Sequence, residues 1–90
     1  MTALDVFQQL RDLGVVLTPT RDGTLRYKAP KGTLTPALVD GMRQQKAELH
    51  ALVEAFEERA AMAECEAGLP RAEAEALAWA SVLGDPRWTV

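Results

Sequence analysis

Apolar positions recur along the chain at two spacings, and the change from one to the other marks its elements. Leu4, Phe7, Leu10 and Leu13 stand near helical spacing and predict one apolar stripe. Thr2 precedes them as a capping hydroxyl. Asp5 sits in the first turn, where the helix dipole favours a carboxylate. Gly14 suits the left-handed residue that closes a helix. A short helix ending at Gly14 is expected.

A spacing of two then takes over. Val15, Val16 and Leu17 form a β-rich run, and Pro19 demotes its end to an edge or a turn entry. Arg21-Asp22-Gly23 follows, and Asp-Gly is a strong hairpin signal. Leu25, Tyr27 and Ala29 alternate with Thr24, Arg26 and Lys28. One face, Tyr27 included, is therefore expected to pack on helices, and the other to be polar and basic. Pro30, Lys31 and Gly32 break the strand. A two-stranded hairpin is marginal in water, so it must lie on a helix to persist.

Helical spacing returns at Thr35-Pro36, a capping hydroxyl followed by proline at the first helical position. Leu38, Met42, Leu49, Leu52, Val53 and Phe56 supply an apolar face, which Gly41 weakens. No proline interrupts 36–67. One helix or two fit the pattern, and a bend within 48–54 is favoured, because one straight helix would overrun so small a hairpin. After Gly68, Pro70 opens a further helix with Ala72, Ala76, Leu77, Ala80, Val82 and Leu83 as its apolar residues, ending at Gly84. Residues 85–90 read as a short tail from which Trp88 could dock. The expected fold class is α+β: a small helix–β-hairpin–helix–helix fold with an extra C-terminal helix.

Composition narrows the function more than the fold. At 90 residues the chain is at most one domain with a thin core, and dimerisation would enlarge that core. No apolar run approaches the ~18 residues that cross a bilayer, so no membrane partner is expected. The start, MTALDVFQQL, lacks the basic and apolar regions of a signal peptide. Cys65 is the only cysteine, which excludes a disulfide within one chain and fits a reducing cytoplasm. The net charge of −3 conceals a polarity. Residues 1–35 carry five basic and three acidic side chains, residues 36–90 five basic and ten acidic. Such a polarity can steer an acidic partner or a second copy.

Catalytic constellations are missing from the pattern. His50 has Glu54 one turn on, but no second histidine or cysteine nearby, and reads as a solvated helix histidine. Cys65 lies between Glu64 and Glu66, whose charge opposes a thiolate. Glu57, Glu58, Glu64, Glu66, Glu73 and Glu75 read as a solvated face rather than as paired acid–base carboxylates. DGTLRYKAPKG lacks the spacing of a phosphate-binding loop. No enzyme, metal site or cofactor is expected. Arg26, Lys28 and Lys31 beside Tyr27 carry more information. They suit weak contact with single-stranded nucleic acid, a solubilising edge strand, or an edge that accepts an acidic peptide by strand addition.

The runs LRDLGVVL and DGTLRYKAPKGTLTPALVDGMRQQKAELHALV resemble the TubC-type N-terminal docking domain of nonribosomal peptide synthetase subunits, over about residues 3–55. The resemblance implies a homodimer whose exposed hairpin binds a short acidic C-terminal segment of a partner subunit. Carried onto this sequence, it points to Leu25, Arg26, Tyr27 and Lys28, with Lys31 in the adjoining loop. The later run FEERAAMAECEAGLPRAEAEALA is similar to tails of small phage and mobile-element proteins linked to replication. A synthetase subunit continues into a condensation domain, whereas this chain runs to Val90.

The expectation is a non-catalytic docking module at 1–56, a helical extension at 57–84 and a tail at 85–90. Its partner is an acidic C-terminal or linear segment of another protein, taken at the hairpin edge. The alternative is an accessory protein of a phage or mobile element, linked to DNA replication, with weak nucleic-acid contact. A third reading is a purely structural helical dimer.

Overall fold

A computed structural model describes residues 2–88 of the chain. The elements run α1 (Ala3–Asp12), β1 (Val16–Pro19), β2 (Leu25–Lys28), α2 (Pro36–Gln44), α3 (Lys46–Ala67) and α4 (Arg71–Leu83). This is the small α+β fold expected: one antiparallel hairpin among helices. The chain divides into two compact units, Met1–Val53 and Glu54–Val90, and the division falls inside α3.

In the first unit, α1 opens with a reciprocal capping box. The Asp5 amide donates to the Thr2 hydroxyl at 3.2 Å, and the Thr2 amide donates to the Asp5 carboxylate at 3.1 Å. The buried stripe is Ala3, Val6, Phe7 and Leu10 rather than the expected Leu4, Phe7, Leu10 and Leu13. Repeated steps of three drift about 60° each around a helix, so they leave one face after two steps. Leu13 is the C-cap residue and stays 40% exposed. Behind it Gly14 takes φ +80°, and its amide donates to the Arg11 carbonyl at 3.0 Å. Val15 donates to the Leu10 carbonyl at 2.9 Å, completing a Schellman closure. That closure aims the chain directly into β1.

The ladder pairs Val16 with Lys28, Leu17 with Tyr27, Thr18 with Arg26 and Pro19 with Leu25. At the turn the Asp22 carboxylate accepts from the Thr24 hydroxyl at 2.8 Å, the Thr24 amide at 3.3 Å and the Thr20 hydroxyl. Gly23 supplies the left-handed residue at φ +85°. Thr35 caps α2 by accepting from the Leu38 amide at 3.2 Å, with Pro36 first in the helix. α1 packs on α2. Leu17, Leu38, Leu49, Leu52 and Val53 are buried together with the α1 stripe as the apolar core of this unit.

The break in 36–67 is real but falls at Gln45, ahead of the expected 48–54, which is continuous helix. Gln45 takes φ −105°, ψ 19°, a conformation open to any residue, and so leaves no mark in composition.

In the second unit Phe56 and Ala60 of α3 and Ala74, Ala78 and Val82 of α4 are buried. Trp79 meets Phe56 edge to face at 6.3 Å. The seam of α4 thus runs every fourth residue from Ala74. Of the expected residues, Val82 is in it, while Leu77 and Leu83 are exposed. Alanine at so many positions of α4 hides the period.

Nor is 57–75 simply a solvated acidic face. Arg71 gathers Glu57, Glu64 and Glu75 at 2.6, 2.7 and 2.8 Å. The start of the expected tail is also tied down. Asp85 accepts from Arg59 at 2.7 Å, and the Trp88 amide donates to the Asp85 carbonyl at 3.1 Å. Residues 89–90 lie outside the described residues. Among the described residues no helix is long and apolar enough to cross a membrane.

Candidate functional site

The hydrogen-bonding phase of the hairpin decides which backbone groups are free. The Thr20 amide donates to the Thr24 carbonyl at 2.9 Å, so that pair lies in the bonded phase of the ladder. Bonded and non-bonded pairs alternate, and Thr18–Arg26 and Val16–Lys28 share the bonded phase. Leu25 and Tyr27 therefore turn their N–H and C=O groups away from β1. Neither residue makes a backbone hydrogen bond on that side among the described residues. On the opposite edge the outward positions are Leu17 and Pro19, and proline has no N–H. The β2 edge thus offers two donors and two acceptors, and the β1 edge only one donor.

Beside the β2 edge lies an open groove of about 300 Å³. Leu25 and Tyr27 line it from the strand, Val39, Met42 and Arg43 from α2, and Lys46 from the first residue of α3. Tyr27 shares a sheet face with Leu25, as alternation requires, yet it is 54% exposed and not a core residue. Beyond it the face opens into the groove instead of closing on a helix. Arg26 and Lys28 stand exposed on the other face, and Lys31 is exposed in the loop that follows. The structure therefore brings Leu25 and Tyr27 together with α2 and sets Arg26 and Lys28 on the opposite side of the strand.

The cations of the two units are used differently. Each arginine of the second unit is in an ion pair: Arg59 and Arg87 with Asp85, and Arg71 with its three glutamates. Hydrogen bonds from Arg87 and Arg59 hold the Asp85 carboxyl well below the usual carboxylate range. Those from Glu64, Glu57 and Glu75 raise the Arg71 guanidinium above its ordinary value. By contrast Arg26, Lys28, Lys31, Arg43 and Lys46 have no ion-pair partner among the described residues. Their field is directed outward, around an apolar groove and a free strand edge.

Val39, Arg43 and Lys46 were not singled out from the sequence, and Met42 was expected there only as part of the apolar helix face. The i, i+3, i+4 spacing puts Val39, Met42 and Arg43 on one face of α2, which the sequence offered, while Lys46 joins them only across the break at Gln45. The remaining candidates carry no chemistry of this kind. His50 is half-buried rather than fully solvated; its Nε2 donates to the Thr20 carbonyl at 3.1 Å, tying α3 to the hairpin turn. Cys65 is exposed. No cluster of three or more metal-ligating side chains occurs among the described residues.

The family model of the TubC N-terminal docking domain matches residues 5–53. No curated protein and no solved structure matches the chain. The expected likeness of 56–78 to phage and mobile-element tails therefore has no support from these comparisons.

Proposed function

The chain belongs to the TubC N-terminal docking domain family, and on that premise we propose that it takes a short acidic segment of a partner protein onto the outer edge of β2. Protein–protein docking is the role that the family gives it, and a docking domain has a protein partner. In this reading Leu25 and Tyr27 supply main-chain hydrogen bonds, while Arg26, Lys28 and Lys31 select the charge. What supports it is the coincidence of a strand edge without backbone partners and five cations without ion-pair partners among the described residues. Strand addition of this kind draws affinity from the main chain and specificity from the side chains beside it.

The test is an amide chemical-shift titration of the full chain with an acidic peptide and, separately, with a single-stranded oligonucleotide. The expected result is shifts along 24–32 and 39–46 with the peptide. Reversing Arg26, Lys28 and Lys31 to glutamate should weaken that binding at least about tenfold. Equal affinity of wild type and variant would overturn the electrostatic part. Binding of the oligonucleotide alone, falling steeply with salt, would replace the reading with nucleic-acid contact.

A further inference from the structure

We propose that the docked segment is recognised on both of its faces, as a strand in which acidic residues alternate with apolar ones; this rests on the docking reading above. A segment bonded to Leu25 and Tyr27 becomes the third strand of the sheet. Its side chains then alternate between the same two faces as those of β2. Those beside Leu25 and Tyr27 point into the groove of about 300 Å³, over Val39 and Met42. Those beside Arg26 and Lys28 lie on the open face, where Thr18 and Val16 bring no compensating charge.

The two faces therefore make opposite demands. A carboxylate in the groove would lose water against Leu25, Tyr27, Val39 and Met42, whereas an apolar side chain is matched by them; the charged side chains that line the groove are Arg43 and Lys46. An apolar side chain on the open face would leave Arg26 and Lys28 unmatched. Arg43 and Lys46 do not disturb this division. Both are exposed, and long cationic side chains can lay apolar stems along such a surface while their heads stay in water. The order of residues, and not net charge alone, is what the site selects.

Two isomeric peptides separate order from charge: Glu-Val-Glu-Val-Glu-Val-Glu and Glu-Glu-Glu-Glu-Val-Val-Val. With the full chain, the alternating peptide should bind about tenfold more tightly. It should also slow hydrogen exchange at the Leu25 and Tyr27 amides. Val39→Ser should weaken the alternating peptide and leave the block isomer unaffected. Equal affinities of the two peptides, or an equal effect of Val39→Ser on both, would overturn the alternation while docking stands. Binding by neither peptide would overturn both.

Discussion

Asp22 shows how much of the hairpin rests on one carboxylate. Hydrogen bonds from the Thr20 hydroxyl, then from the Thr24 hydroxyl and amide, lower its pKa from 3.8 to about 2. A carboxyl with a depressed folded-state pKa stabilises the fold above its unfolded value and loses that contribution as pH falls through the folded one. The hairpin turn should hold its order down to pH about 4 and loosen between about 4 and 2. Carboxyl carbon shifts during an acid titration measure this directly. Replacing Thr20 and Thr24 by valine should return the midpoint towards 3.8. A wild-type midpoint already at 3.8 would mean that the hydroxyls do not bond the carboxylate. Gly14 offers a second single-position check. Its φ of +80° puts alanine in the left-handed region, so Gly14→Ala should cost about 1–2 kcal/mol, read from the urea midpoint.

The corrected face of α1 carries its own prediction. Leu10 is fully buried and Leu13 is 40% exposed, although the sequence offered them as equals. Leu10→Ala should destabilise the chain by about 2–5 kcal/mol, and Leu13→Ala by no more than about 0.5. Comparable losses would restore the stripe that the spacing first suggested. Elements closed by backbone chemistry were legible beforehand: Thr2 and Thr35 as caps, Gly14 as a stop, and Asp22-Gly23 as a turn. Each is a residue type with few other uses. The break at Gln45 and the seam of α4 were not, because a common dihedral and a surplus of alanine leave no distinctive residue. The site was half legible. Alternation gave the two faces of β2, but Val39, Met42, Arg43 and Lys46 join them only after the chain has turned back, and no local pattern states that.

Across the whole chain, charge is divided between internal and external use. Arg71 ties α4 to α3 through Glu57 and Glu64 and pairs with Glu75 within α4, but all four side chains remain about a third or more exposed. Water screens such pairs. Arg71→Ala should therefore cost only about 1 kcal/mol and leave peptide docking unchanged. The cations around the groove should behave in the opposite way. Charge reversal at Arg43 and Lys46 should leave the unfolding midpoint nearly in place and weaken the acidic peptide, with the difference shrinking as salt shortens the screening length below about 10 Å. Calorimetric titration at two ionic strengths reads both. An unchanged affinity at low salt would exclude α2 from the interface. Whether two copies pair, as the family likeness implies, is a separate expectation, read by sedimentation equilibrium.

The missing N–H of Pro19 makes the two edges of the hairpin unequal. A two-stranded sheet ordinarily has two growing ends, and a chain that can add a strand at both can propagate into a fibre. Here one outward donor is absent from the β1 side, while the β2 side keeps its full set. The strand addition proposed above is therefore better supported at β2 than at β1. The proline acts as a one-sided gatekeeper, making the β1 edge the poorer template and leaving β2 as the side on which a further strand finds its full set of partners.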